Sequence, residues 1–216
     1  MKDCIIVTSI VEIGNAPMDW VSTRSIYSHK ERFEQTLETI ESIRKYMANI
    51  DILIECSPKS EYMIELEKRV NIFVNTYPND IVRNCFNKSI GEATLIIKAL
   101  DIIEKMSYNH IYKMTGRYVL TEKFNKNNWS DELVNGCLTD IYSSSNNPNI
   151  CIHTFFYKIP MSYVSVFKQS LKTFASENTL LPVEHFVYKV FEKTFKNIPE
   201  IGIKVRWSCF DSQYET

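Results

Sequence analysis

Residues 4–11 (CIIVTSIV) form an unbroken, β-branched apolar run, the pattern of a strand buried on both faces of a mostly parallel sheet. Such a strand needs helices on both sides, and the chain supplies them in alternation. After a loop containing Pro17, a segment opened by Ser28 carries Phe33, Leu37, Ile40 and Ile43 at helical spacing across residues 31–47. A short apolar strand at 51–56 (DILIEC), a helix at 60–69 and a third strand at 70–77 (VNIFVNTY) follow. Beyond a loop with Pro78, the run 89–106 (SIGEATLIIKALDIIEKM) predicts a serine-capped helix, the longest and most central of the chain, leading into a strand at 110–120 (HIYKMTGRYVL). The second half is mixed: strand-like runs at 137–142 and 150–159, helices at 161–175 and 182–195, a last strand at 201–207, and loops at 125–128 and 143–149. Strand–helix alternation followed by this mixture predicts an α/β fold, a Rossmann-like three-layer sandwich whose mostly parallel central sheet carries an added antiparallel portion.

A length of 216 residues suits one domain, read as 1–216. With 25 basic against 26 acidic residues the chain lacks the cationic surplus that many phosphate contacts to a nucleic acid require. Basic residues serving a smaller phosphate ligand must therefore be gathered locally. The six cysteines show no CxxC pair, which excludes a common zinc site and a dense disulfide framework. Cys4, Cys56, Cys151 and Cys209 lie in or beside apolar runs, where a free cysteine packs as a small core residue, so a reducing, cytoplasmic location is expected. Thr8, Ser9 and Glu12 interrupt the first apolar run before a signal sequence forms, and no transmembrane segment of about 20 apolar residues is present.

Open α/β sheets bind ligands beyond the carboxyl ends of their strands. That directs attention to residues 8–24, 56–59, 76–88 and the end of the fourth strand. No GxGxxG, GxxxxGK[ST], GxSxG or HExxH pattern occurs, which removes the common nucleotide-binding, hydrolase and zincin chemistries. His29, His110, His153 and His185 show no ligand spacing.

The segment 24–43 (RSIYSHKERFEQTLETIESI), the run 87–100 (NKSIGEATLIIKAL) and KMTGRY at 113–118 resemble the nucleotide-sugar-binding half of GT-A glycosyltransferases, in particular small viral and bacterial GT-A-like proteins. The resemblance covers about the first 120 residues. It implies a nucleotide-binding half at 1–120 and an acceptor half at 121–216. By this resemblance Thr8 and Ser9, at the end of the first strand, fall where the family holds base and ribose, with Arg24 in the following loop. Lys88, Gly91 and Glu92 fall where the family's loop wraps the nucleoside. A structural alternative stands beside each: Thr8 and Ser9 end a strand, Arg24 is solvated, and Gly91 allows close helix packing.

The chain departs from the family where a metal-binding DxD is expected, carrying Lys113 and Arg117 instead of carboxylates. A nucleotide-diphosphate leaving group gathers negative charge as the glycosidic bond breaks. A divalent metal, Mn²⁺ or Mg²⁺, usually meets it, but an arginine fork or a lysine ammonium makes the same charge-assisted contacts without one. The alternative is that strand alternation puts Lys113, Thr115 and Arg117 on one solvated face. Asp80, after the third strand, is a candidate for ribose or metal. For the base of an inverting reaction the candidates are Glu184, Asp140, His185 and Asp211, although Glu184 in a first helical turn also suits the helix dipole. Phe155, Phe156, Tyr157 and Trp207 are either a sugar platform or core.

The function implied is glycan biosynthesis: transfer of a sugar from a nucleotide-diphosphate donor, a UDP-sugar preferred, to a glycan or glycoprotein acceptor. Two rivals remain. A nucleotidyltransferase shares the core but usually carries a glycine-rich loop after its first strand, where this chain has GNAPMDW at 14–20. A non-catalytic nucleotide-sugar-binding module keeps the fold without turnover.

Overall fold

The structure, a computed structural model, describes residues 2–17, 23–47, 51–144, 147–177, 182–206 and 213–215. Its first half alternates as β1 (Asp3–Thr8), α1 (His29–Tyr46), β2 (Ile52–Glu55), α2 (Glu61–Glu67), β3 (Ile72–Asn75), the short α3 (Asp80–Asn84), α4 (Lys88–Ile103) and β4 (His110–Thr115). The second half holds β5 (Val119–Leu120), β6 (Val134–Gly136), β7 (Leu138–Ser144), β8 (Asn147–Ile152), β9 (Phe156–Pro160), α5 (Val164–Ser176), α6 (Val183–Phe191), β10 (Phe195–Asn197), β11 (Ile203–Arg206) and β12 (Gln213–Glu215).

The main sheet has seven strands in the order β10-β6-β9-β4-β1-β2-β3. Strands β4, β1, β2 and β3 are mutually parallel, while β9 enters antiparallel between β4 and β6. Successive side chains of β1 point to opposite faces, so Cys4 and Ile6 pack beneath α4, α5 and α6 while Ile5 and Val7 join Ile40 and Ile43 of α1 and Leu66 of α2. This is the three-layer sandwich with a mostly parallel sheet and an antiparallel addition.

Several elements differ from the sequence reading. Ser28 caps α1 with a full capping box, as its position before the helix implies, but Asn87 rather than Ser89 caps α4. The longer helix is α1, with 18 residues against 16. The run 150–159 divides into β8 and β9, and residues 143–149 are not a plain loop but include the ends of the paired strands β7 and β8. The final helix stops at Phe191, and Phe195–Asn197 pairs with β6.

The strand expected at 110–120 also breaks in two. Gly116 leaves the main sheet, and β5 pairs with β11 in a separate three-stranded sheet, β12-β11-β5. The cause lies in α1, which buries not only Ile40 and Ile43 but a polar stripe of Arg32, Gln35, Thr36, Thr39 and Ser42. Thr36 Oγ1 donates to the Gly116 carbonyl (3.0 Å), Thr39 Oγ1 donates to the Tyr118 carbonyl (2.8 Å), and the Leu120 amide donates to Ser42 Oγ (3.1 Å). Hydroxyls one helical turn apart thus satisfy backbone groups that lost their ladder partners when the strand turned away.

Candidate functional site at the β1–β4 switch point

From β1 the chain proceeds outward through β2 to β3 and then returns to place β4 on the other side of β1. β2 lies on one side of β1, whereas β9 and β6, later strands of the same sheet, lie beyond β4 on the other, and a crevice opens between the carboxyl ends of β1 and β4. The cavity found there is lined by Thr8 and Ser9 of the β1 end, by Thr115, Gly116 and Arg117 of the β4 end, and by residues of the surrounding loop and helices.

Gly116 closes the floor. Its amide donates to the Thr8 carbonyl (2.8 Å), and a Cβ in its place would stand 3.0 Å from Ser9 Cβ. A larger residue would push the two strand ends apart.

The cavity is strongly cationic. Arg24, Arg32, Arg83, Lys88 and Arg117 line it against a single carboxylate, Glu92, among the described residues. Three of the cations also build the wall. Arg24, only 6% exposed and therefore not a solvated surface residue, donates to the carbonyls of Ala16 and Cys85, tying the loop after β1 to the α3–α4 junction. Arg32 donates to the Ile10 carbonyl through Nε (2.7 Å) and Nη2 (2.5 Å). Lys88 Nζ bonds the Arg24 carbonyl. Two buried polar atoms of the lining residues make no hydrogen bond: Thr8 Oγ1, on a side chain 3% exposed, and Arg117 Nη1. A buried donor without an acceptor costs free energy, so an acceptor brought into the cavity could satisfy these two.

Behind the cavity lies a second cluster. Lys113, 1% exposed, points toward α4 and forms an ion pair with Glu92; its ammonium also donates to Thr115 Oγ1 and to the Thr154 carbonyl, each at 2.8 Å. Thr154 Oγ1 in turn donates to Glu184 Oε1 (2.8 Å). Burial raises the Glu184 carboxyl above its usual range, and the nearby charge of Glu92 adds to the effect. Glu184 is thus joined to the cavity's rear wall through Thr154 and Lys113.

The sequence candidates separate accordingly. Thr8, Ser9, Arg24, Lys88 and Arg117 meet in the cavity, together with Arg32 and Arg83, which sequence reasoning missed. The one available signal for Arg32 was its place on the polar stripe of α1. Lys113 does not line the cavity, and Arg117 sits in the turn after β4 rather than in the strand, so the two do not share a face. Gly91 lies where α4 crosses α3: a Cβ there would meet the Val82 carbonyl oxygen at 3.0 Å. Asp80 is exposed at the start of α3, where its carboxylate accepts from Asn84, and it does not line the cavity. Phe155, Phe156 and Tyr157 are core. Asp140 falls in β7, its side chain outside the described part, and Trp207, Cys209 and Asp211 lie outside the described residues altogether. His185 is half-buried on α6.

The residues at the end of β4 do not fit a divalent metal. Lys113, Thr115 and Arg117 occupy the stretch where the resembling family keeps carboxylates, Glu92 is committed to Lys113, and no group of three or more metal-ligating side chains occurs among the described residues.

The fold recurs in solved structures. Glycosyltransferase GlyE of Streptococcus pneumoniae TIGR4 superposes with a TM-score of 0.54 at 8% identity, covering 91% of this chain. This is a GT-A-like fold. The chain spans only 46% of GlyE. The same fold is shared by the inositol-1-phosphate CTP transferase of T. maritima (TM-score 0.53, 11% identity, 91% of this chain and 84% of that one). It is shared also by the CTP:phosphocholine cytidylyltransferase LicC of Streptococcus pneumoniae (TM-score 0.51, 10% identity, 94% and 92%). No family model matches the sequence, and no curated protein matches it. No helix among the described residues is long and apolar enough to cross a membrane.

Proposed function

We propose that the chain is a transferase using a nucleotide-diphosphate sugar, a UDP-sugar preferred, to glycosylate a glycan or protein-linked acceptor. The observation that carries the reading is the pair of unpartnered atoms, Thr8 Oγ1 and Arg117 Nη1, inside a cavity lined by five cations at the switch point of the sheet. A diphosphate supplies several acceptor oxygens with two or three negative charges, which answers the unpaired atoms of Thr8 and Arg117. The donor half corresponds to residues 1–120 and the acceptor half to 121–216.

In this reading the acceptor hydroxyl oxygen attacks the anomeric carbon, the bond from that carbon to the phosphate oxygen breaks, and the nucleoside diphosphate departs with the bonding electrons. Arg117 meets the charge that develops on the leaving phosphate. In an inverting reaction the acceptor's proton passes to a carboxylate, and Glu184, whose affinity for a proton is raised by burial, is the proposed base, with Asp140 the other candidate. Metal is not required, because cations already stand where two carboxylates would otherwise need an ion between themselves and the phosphates.

The test is a thermal-shift panel of UDP, GDP, CDP and their sugars, with and without Mn²⁺ and with chelator, since a ligand that binds only the native state raises its melting temperature. Failure of every nucleotide diphosphate at millimolar concentration removes the reading. Product analysis then separates the rivals: a glycosyltransferase releases nucleoside diphosphate, a nucleotidyltransferase given a nucleoside triphosphate releases pyrophosphate, and a binding module releases neither.

A further inference from the structure

Among the described residues, Glu92 is the one carboxylate of a cavity lined by five cations, and it needs an explanation of its own. Facing a phosphate it would only repel. Glu92 receives two bonds, from Lys113 Nζ and from Thr115 Oγ1 (3.1 Å), and both fall on Oε1. Its side chain remains 24% exposed and lines the cavity, whereas Lys113 is 1% exposed and does not. None of the cavity's guanidinium groups forms an ion pair with it among the described residues. A carboxylate oxygen has room for about two hydrogen bonds, so Oε2 keeps its accepting capacity.

The lysine behind it is immobilised. An ammonium has three N–H groups, and Lys113 donates to Glu92, to Thr115 Oγ1 and to the Thr154 carbonyl, which uses all of them. Thr115 accepts from the lysine and donates to the carboxylate, closing a three-membered ring of bonds around Oε1. The groups that bond such an oxygen in a site otherwise shaped for phosphate are the hydroxyls of the same ligand.

We propose that Glu92 recognises hydroxyl groups on the carbon skeleton attached to the bound phosphates, and that Lys113 is the positioning residue that holds its carboxylate in place. The assignment rests on the diphosphate-binding reading above. The hydroxyls are those of the nucleotide ribose or of the transferred sugar, two sources of one chemistry.

The experiment is calorimetric titration of wild type, Glu92→Gln and the double variant Lys113→Met/Glu92→Gln with pyrophosphate, UDP, 2′,3′-dideoxy-UDP and UDP-glucose. The double variant removes both charges together, so it avoids leaving either one buried and unpaired. Both variants are expected to lose about tenfold in affinity for hydroxyl-bearing ligands, the difference between a charged and a neutral acceptor. Pyrophosphate binding should hold or tighten, because a negative charge has left an anion site. A loss seen with UDP but not with dideoxy-UDP assigns the ribose, and one confined to UDP-glucose assigns the sugar. Equal changes for pyrophosphate and the hydroxylated ligands, no change for any, or wild-type selectivity in the double variant overturns the proposal. If wild type itself binds none of the four, the diphosphate reading falls first and this inference with it, an outcome visible before any variant is titrated.

Discussion

The Gly116 amide donates to the Thr8 carbonyl at 2.8 Å, and this bond joins the carboxyl ends of two strands that are neighbours in the sheet but 107 residues apart at their parallel register of Thr8 and Thr115. It leaves the Thr8 hydroxyl and the Arg117 guanidinium on the cavity wall, each with a polar atom unpaired.

Thr8→Val keeps the shape of the side chain and removes a buried hydroxyl that has no partner. Since an unsatisfied buried polar group costs about 1–3 kcal/mol, the free protein should be as stable as wild type or more so, while its affinity for UDP falls. Denaturant melts with and without UDP measure both. A less stable variant with unchanged UDP affinity would show that the hydroxyl serves the fold.

Arg117→Ala should weaken nucleotide-diphosphate binding roughly ten- to a hundredfold, the equivalent of about 1.5–3 kcal/mol for a charge-assisted contact, with a smaller effect on the monophosphate. Arg117→Lys should restore only part of this, because it keeps the charge without the fork. Chelator should leave the wild-type affinity unchanged. A strict Mn²⁺ requirement for UDP binding would contradict the metal-free reading.

Glu184→Gln separates catalysis from stability. Because burial holds the folded-state pKa of Glu184 above that of an exposed glutamate, the native protein retains a proton that the unfolded chain releases, and the stability from this group falls as pH rises from the ordinary glutamate range through the folded pKa. Glutamine mimics the protonated form, so the variant should be at least as stable as wild type at pH values above that window. If Glu184 is the base, turnover should drop ~10²–10⁴-fold with donor affinity nearly unchanged. A loss below tenfold would leave Glu184 with the structural role of a first-turn acid in α6.

Gly91→Ala sets helix propensity against packing. Alanine gains about 1 kcal/mol in a helix interior, but its Cβ would meet the Val82 carbonyl oxygen at 3.0 Å and Val82 Cα at 3.2 Å, both backbone atoms that cannot rotate aside. Overpacking costs about 1–3 kcal/mol, so net destabilisation is expected, accompanied by weaker UDP binding as α3 and its Arg83 are displaced. Urea midpoints and UDP titration report the two effects, and a stabilised variant would mean that α3 yields freely.

Much of the frame was legible in local pattern. The continuous apolar run at the start of the chain announced β1 as buried on both faces, the 3.6-residue spacing of Ile40 and Ile43 announced one side of α1, and Ser28 announced where that helix begins. These features are readable because each depends on residues a few positions apart. The other buried side of α1 was not: Thr36, Thr39 and Ser42 look like a solvent face until the backbone at 116–120 is brought against them. The same limit split the strand at 110–120, since what ends β4 is the pull of α1 and β11 rather than anything in KMTGRY itself.

By itself the sequence determined the alternation of strands and helices, the lack of charge surplus for a polynucleotide, and the cations near the end of the fourth strand. Only the tertiary structure decided what those cations do. Lys113 and Arg117 are four positions apart, yet one is sealed behind the cavity by Glu92, 21 residues away, while the other lines it. Arg24, for which the sequence left a ligand contact and a solvated loop position both open, is buried against carbonyls as far as 61 residues along the chain. Periodicity reports whether an element is covered. The partner of a buried charge is chosen by which distant elements come to rest beside it, because the cost of burying that charge is met by specific neighbours in space.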